Sequence, residues 1–191
     1  MIESSNQKFV ASALPLNWYE VAKLMYESAQ ALHTGPQGTI SHIEGSRIKT
    51  RRVTNRPVFL LAAFALENLI KAFLIYENPR YIEGGRLSRE LLNGHGLSAL
   101  QKACRKVPAP IRTRHVFETL EVGVNSWARY PCSTTAARET EERTVSNELW
   151  AEYCKVFELY SRKLEKLLSK RWKGPYGEVT YVRFNDGRDV R

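Results

Sequence analysis

The apolar run VFLLAAFALENLIKAFLIY, which spans residues 58–76, is the sequence feature that most constrains the fold. A stretch of this length approaches what is needed to cross a bilayer. However, Glu67, Asn68 and Lys71 lie near its midpoint, and each charge there would cost about 2.5–3.5 kcal/mol in a membrane. The run therefore predicts a buried helix that makes no membrane contact, and Pro57 suits the first turn of that helix.

Apolar residues in much of the remaining chain recur at spacings of three and four, which is typical of amphipathic helices. The Gly-, Ser- and Thr-rich residues 34–46 predict a loop. The expected architecture is therefore all-α, with about five helices joined by short connections. The predicted helices cover about residues 14–33, 57–78, 96–107, 111–127 and 137–172.

The C-terminal residues follow a different pattern. Apolar and polar residues alternate over residues 179–184, and an Asn-Asp-Gly turn signal follows at 185–187, so a strand or a small hairpin is expected. The chain is accordingly divided into a helical domain, residues 1–173, and a tail, residues 174–191. Because a two-stranded hairpin is only marginally stable alone, we expect the tail to dock on the helical body or on a partner.

The chain has a formal net charge of +9 and a pI of about 9.6, which favours anionic partners such as RNA or nucleotides. Basic clusters of this kind are more often solvated faces than binding sites. Two of them in one basic chain nevertheless fit contact with a phosphate backbone. The first cluster holds Arg47, Lys49, Arg51, Arg52 and Arg56, and the second holds Lys102, Arg105, Lys106, Arg112 and Arg114.

The sequence contains no motif for a common cofactor or metal, and we expect neither. It lacks a P-loop, a G-x-G-x-x-G fingerprint, an H-E-x-x-H pair, a nucleophile elbow and an acidic metal cluster. Cys104, Cys132 and Cys154 are widely spaced and odd in number, which indicates reduced thiols rather than a zinc site or a disulfide framework. Reduced cysteines, together with an N-terminus unlike a signal peptide, indicate a cytoplasmic protein.

Three polar residues of the central helix form a candidate site. Glu67 and Lys71 are four residues apart in the orientation that favours pairing on one helix face, and Asn68 lies about 100° further round. These residues form either a salt bridge at the edge of a helical bundle or a polar notch that meets a ligand or a partner helix. The spacing alone does not choose between the two.

Two further pairs have side chains suited to RNA. Arg89 lies six residues before His95; a histidine can transfer a proton to or from a 2′-hydroxyl while an arginine holds the phosphate. The alternative for His95 is a structural or merely exposed histidine. Arg129 and Tyr130 suit phosphate contact and base stacking, or else Arg129 complements the dipole of the fourth helix while Tyr130 packs.

Taken in order, three motifs resemble the HEPN superfamily of small α-helical domains. They are A-L-E-N-L-I-K-A-F at 65–73, G-H-G-L-S-A-L at 94–100 and A-R-Y-P at 128–131, similar to an A-x-E-x-x-x-K-A helix, an H-x-L-x-x-L helix and an R-Y-P segment. The resemblance covers roughly residues 15–170. It implies a four- or five-helix up-and-down bundle, often a homodimer. Members include RNA-cleaving toxins and defence ribonucleases, and also non-catalytic domains that bind nucleotides or partner proteins.

Three functions are therefore expected as alternatives. The first is binding of RNA or a nucleotide in a prokaryotic toxin–antitoxin, antiviral defence or stress-response system, with an antitoxin or a nucleotidyltransferase as a candidate partner protein. The second is a metal-independent ribonuclease, because Arg89 and His95 have the spacing of the catalytic R-x(4–6)-H motif; His95 also occupies the H-x-L position of nucleotide-binding members. The third is a non-enzymatic dimerisation or assembly subunit. The expected binding residues are Glu67, Asn68, Lys71, Arg129, Tyr130, Arg51 and Arg52.

Overall fold

The computed structural model describes residues 5–92, 96–107, 113–132, 135–138 and 140–184. Within these ranges the protein is mostly helical, which confirms the expected fold class at that level, and it also has two small antiparallel sheets. The α-helices are α1 (Ser5–Ser12), α2 (Pro15–Thr34), α3 (Asn55–Glu77), α4 (Arg89–Leu92), α5 (Leu97–Ala103), α6 (Arg114–Asn125) and α7 (Asn147–Leu168). The strands are β1 (Thr39–Glu44), β2 (Arg47–Arg52), β3 (Trp172–Lys173) and β4 (Val179–Thr180), and 3-10 turns occupy Pro79–Gly85 and Ala136–Arg138.

Helix α3 is the centre of the core. Its sequence is apolar on every side, a pattern expected of a helix surrounded by protein, and α2, α5, α6 and α7 contact it. Phe59, Leu66, Ile70 and Phe73 have no exposed surface. By length and composition α3 would be able to cross a membrane, but 78% of its most apolar window is buried inside the protein. The predicted buried central helix is therefore confirmed.

The last helix is shorter than the sequence predicts. Helix α7 begins at Asn147, because Ser146 caps it by accepting a hydrogen bond from the Leu149 N–H at 3.2 Å. The residues just before this cap are not helical and contact Asn55 at the start of α3. The predicted helix is therefore wrong over residues 140–146, because a capping residue and a tertiary contact outweigh the local helical pattern. It is also wrong at its other end, because α7 ends at Leu168 and Trp172 begins β3. Helix α5 also ends earlier than predicted, at its Ala103 terminus.

A β-hairpin replaces most of the loop predicted at residues 34–46. Strands β1 and β2 pair antiparallel, from Thr39 opposite Arg52 to Glu44 opposite Arg47. Gly45 turns the chain with a φ of +60°, which glycine adopts without steric cost. Residues 39–43 of β1 and the whole of β2 are exposed, so no alternation of apolar and polar residues marks the strands in the sequence. The loop prediction is wrong for that reason.

The C-terminal tail packs against the helical body. The Gly84 N–H donates to the hydroxyl oxygen of Tyr176 at 2.8 Å. Just before the tail, Trp172 is buried, and its Nε1–H donates to the carbonyl of Tyr76 at 3.2 Å. The backbone N–H of Val182 donates to the carbonyl of Leu168 at 3.0 Å. Of the strand expected over residues 179–184, only Val179–Thr180 form one, and this strand, β4, pairs with β3, which precedes it. The expected turn at 185–187 lies outside the described residues.

Candidate functional site

A cleft of about 940 Å³ lies beside the β1–β2 hairpin, and we call it the hairpin cleft. Its walls are the hairpin, the start of α3, the residues that follow α6 and the segment 140–144. The hairpin thus brings part of the first basic cluster to a concave surface. The ionisable lining residues include His42, Lys49, Arg51 and Arg56 on the basic side and Glu141 and Glu142 on the acidic side.

The pairing register places Lys49 and Arg51 on the same face of the hairpin. Arg51 pairs with Ile40 and Lys49 pairs with His42, and side chains two residues apart on a strand point to the same side. The Arg51 Nη1 atom reaches Oε2 of Glu142 at 3.4 Å. The face that carries Lys49 and Arg51 is therefore turned towards the cleft.

Arg52, a predicted binding residue, belongs to the opposite face of the hairpin, because successive side chains alternate along a strand. There it lies near His33, whose ring stacks on Trp150 with 4.4 Å between centroids. Partial burial and the positive charge of Arg52 lower the pKa of His33. Arg52 therefore contributes to the surroundings of α2 rather than to the cleft.

Glu142 connects the segment 140–144 to the hairpin and to the start of α3. Arg56 approaches its Oε2 with both Nε and Nη2, each at 2.9 Å. Its Oε1 accepts a hydrogen bond from Asn55 Nδ2, also at 2.9 Å. Arg56 uses its remaining Nη1 to donate to the carbonyl of Tyr130 at 3.2 Å. With Arg51 included, the Glu142 carboxylate contacts two arginines and one asparagine.

Asn55 anchors the segment that carries Glu142. Its side chain is buried; Nδ2 also donates to the carbonyl of Arg143 at 3.0 Å, and Oδ1 accepts from the N–H of Val145 at 3.0 Å. These two contacts reach backbone atoms of the segment. They hold it against the start of α3 without involving the charge of Glu142.

The surroundings of Glu142 favour its ionised form. Partial burial opposes ionisation, but the hydrogen bonds from Asn55 and Arg56 and the charges of Arg56 and Arg51 outweigh it, so the pKa of Glu142 lies below its ordinary value. Glu142 is thus a carboxylate at neutral pH, and it partly neutralises the two arginines.

Arg129 and Tyr130 lie in the turn after α6, beside the hairpin cleft. The guanidinium carbon of Arg129 is 5.3 Å from the centroid of the Tyr130 ring, within the range of a cation–π contact, and Tyr130 is 45% exposed. The Arg56–Tyr130 hydrogen bond ties this pair to the start of α3. Trp127, which lines the cleft, is buried and packs edge-on against Phe59 with 4.5 Å between ring centroids.

The polar residues in the middle of α3 lie away from the cleft. Lys71 Nζ pairs with Glu67 Oε1 at 2.6 Å and lies 5.8 Å from the ring centroid of Trp18 on α2. Asn68 Nδ2 donates to the carbonyl of Phe64 at 2.7 Å. Lys71 is about 22 Å along the helix from the Arg56 position. Glu67 and Lys71 therefore form a buried ion pair within α3 that faces Trp18 of α2, apart from the other predicted binding residues.

The predicted catalytic pair is described only in part. Arg89 is exposed on the short helix α4, whereas His95 lies outside the described residues. The ribonuclease assignment of this pair stays a prediction. In the described part of the chain, no three His, Cys, Asp or Glu side chains are grouped so that they could hold a metal ion.

Sequence reasoning missed the residues that complete the hairpin cleft. Arg56 and Lys49 were visible as members of a basic run, but nothing local singled them out from their neighbours. Glu142 and Asn55 carried no signal, because their roles depend on a contact across 87 positions of the chain.

No family model, no curated protein and no solved structure matches the chain. The resemblance to HEPN domains therefore stays a prediction from the motifs.

Proposed function

We propose that the protein binds the phosphate groups of RNA or of a nucleotide in the hairpin cleft. The observation that carries this proposal is that Lys49 and Arg51 on the hairpin and Arg56 on α3 line the same concave surface. Arginine presents a planar fork of donors that matches phosphate oxygens, and lysine adds a point charge. In a chain of net charge +9, such contacts release counterions from a polyanion and thereby favour binding.

The aromatic pair beside the cleft supports a nucleic-acid ligand. Tyr130 presents an exposed ring, and the Arg129 guanidinium lies close to it. Unpaired bases stack on aromatic rings and on guanidinium planes, which makes single-stranded RNA or a nucleotide a better match than a duplex. A phosphate bound at Arg51 and Arg56 would leave a base free to reach Tyr130.

The biological setting follows from the three ordered motifs and belongs to the same proposal. The helices form a HEPN-like up-and-down bundle of about five main helices, and the protein acts in the cytoplasm of a prokaryote as part of a toxin–antitoxin, antiviral defence or stress-response system. An antitoxin or a nucleotidyltransferase is the kind of partner protein that this class would meet.

Equilibrium binding to a short fluorescent single-stranded RNA, and competition by ATP, tests the proposal at low salt. The variant Arg51→Gln/Arg56→Gln should bind at least about tenfold more weakly, and its dependence on salt should fall by about one unit of slope for each phosphate that it no longer neutralises. Lys163→Gln/Lys166→Gln, which removes two exposed charges from the far part of α7, serves as the charge-matched control. Equal weakening in both variants, or no binding by the wild type, would contradict the proposal.

A second candidate function, self-assembly, is favoured by the outer face of the hairpin. Ile43 and Ile48 pair across the strands and are 69% and 68% exposed. A paired apolar patch on an exposed hairpin suits a contact with the same patch on a second copy, as in a two-fold homodimer. Light scattering should find a dimer for the wild type and a monomer for Ile43→Ser/Ile48→Ser; a wild-type monomer would eliminate this candidate.

A further inference from the structure

The geometry points to a phosphate site between Arg51 and Arg56 that Glu142 fills in the free protein, so that the ligand binds by displacing the Glu142 carboxylate. This inference rests on the proposed function for the identity of the ligand. It adds a defined position for one phosphate group and a residue of the chain itself that competes for that position.

Glu142 fits the two arginines less well than a phosphate would. Arg56 directs both Nε and Nη2 at the single atom Oε2, although this edge of a guanidinium matches two oxygens of one anion. The contact from Arg51 is long, at 3.4 Å, and the Arg51 side chain is half exposed. A phosphate group offers an oxygen to each of these donors, so it uses hydrogen-bonding capacity that Glu142 leaves poorly used.

Displacement of Glu142 does not require the segment 140–144 to detach. Asn55 holds this segment through the carbonyl of Arg143 and through the N–H of Val145, the residue that follows it. The Glu142 side chain is 19% exposed, so one side of it already meets solvent. A change of rotamer would therefore release the arginines while the backbone keeps its place.

The alternative is that Glu142 only stabilises the packing between α3 and the segment before α7. The two roles predict different effects of the substitution Glu142→Gln. If the role is purely structural, neutralising the carboxylate lowers stability and leaves ligand affinity unchanged or weaker. If the carboxylate competes with the ligand, neutralising it raises the affinity for phosphate groups.

Glu142→Gln should bind RNA, ATP and inorganic phosphate about three- to tenfold more tightly than the wild type at low ionic strength, measured by isothermal titration calorimetry. Glu141→Gln is the matched control, because it removes the same charge from an exposed neighbour that lines the same cleft. It should change the affinity by less than about twofold. Adding Arg51→Gln and Arg56→Gln to Glu142→Gln should abolish the increase in affinity.

The outcomes separate the two proposals. Displacement of Glu142 by the ligand would be overturned if Glu141→Gln and Glu142→Gln raised the affinity equally. It would also be overturned if RNA bound through Arg51 and Arg56 with an affinity that Glu142→Gln left unchanged. The proposed function would survive either result. Tighter binding of inorganic phosphate by Glu142→Gln, without binding of RNA or ATP, would overturn the proposed function and support the site. Glu142→Ala, which also keeps the Asn55 anchor, should show the same increase if Glu142→Gln folds poorly.

Discussion

The guanidinium of Arg56 and the carboxylate of Glu142 lie 2.9 Å apart, although 86 positions separate the two residues in the chain. This contact ties the start of the central helix to the segment before α7 and forms one corner of the hairpin cleft. Because Arg51 and Asn55 reach the same carboxylate, the charge of Glu142 influences both the stability of this corner and its capacity to bind another anion.

Acidification should remove the stabilising contribution of Glu142. Its pKa in the folded protein lies below the ordinary value of 4.5, so the contribution is fully present above that value and is lost as the pH falls through the lower folded pKa. Denaturant unfolding at about pH 7 and at steps down to about pH 3 measures this change. Glu142→Gln should lose less free energy of unfolding than the wild type over this range. If Glu142→Gln and Glu141→Gln show the same pH dependence as the wild type, the ionised Glu142 contributes nothing to stability.

Removing one partner of the Glu67–Lys71 pair should destabilise the protein strongly. Both side chains are 8% exposed, so Lys71→Met leaves the buried carboxylate of Glu67 without the Lys71 charge, at an expected cost of about 3–5 kcal/mol in the free energy of unfolding. Glu67→Gln/Lys71→Met buries no charge and should be more stable than Lys71→Met alone. Urea denaturation measures both changes.

The exposed pair Arg114–Glu118 has the same four-residue spacing and serves as the control for the Glu67 and Lys71 variants. Arg114→Gln should change the free energy of unfolding by at most about 0.5 kcal/mol, because water screens an exposed pair. A double variant that is less stable than Lys71→Met would contradict the interpretation of the Glu67–Lys71 contact as a compensated buried charge pair.

The cysteines should differ in reactivity. Cys132 is exposed in the hairpin cleft, whereas burial and the adjacent Glu77 carboxylate raise the pKa of Cys104 to about 12. Brief alkylation by iodoacetamide near neutral pH, followed by peptide mass spectrometry, should label Cys132 and leave Cys104 unmodified until denaturant is added. Bound RNA should slow labelling of Cys132 and not of Cys154, which lies on α7. Equal protection of Cys132 and Cys154, or protection of neither, would contradict binding in this cleft.

The parts of the fold that local pattern determines were predictable. The run at residues 58–76 is too apolar for any exposed element and too polar at its centre for a membrane, so a buried helix was the consistent interpretation, and Pro57 indicated its start. Helix α2 followed from an apolar stripe of regular spacing. The hairpin was not predictable in this way, because strands exposed on both sides need no alternating pattern. Residues 140–146 looked helical because the contacts of Arg143 and Val145 with Asn55 are not local.

The candidate site was predicted only in fragments. The basic cluster in the sequence includes both Arg51 and Arg52, but nothing in the sequence distinguishes their positions. Only the strand assignment places Arg51 in the cleft and Arg52 near His33. Arg129 and Tyr130 were identified from their chemistry, yet their position beside Arg56 depends on packing between α3 and the turn after α6. Glu142 had no sequence signal, since its partners are distant in the chain.

Photochemical cross-linking of a 4-thiouridine-labelled single-stranded RNA to the full chain, mapped by peptide mass spectrometry, would locate the bound RNA on the protein. Binding in the hairpin cleft predicts cross-links at Trp127, Tyr130 or Cys132 and on the hairpin strands β1 and β2, and their disappearance in Arg51→Gln/Arg56→Gln. Cross-links confined to the second basic cluster, between Lys102 and Arg114, or cross-links at the hairpin cleft that persist in the double variant, would contradict binding in this cleft.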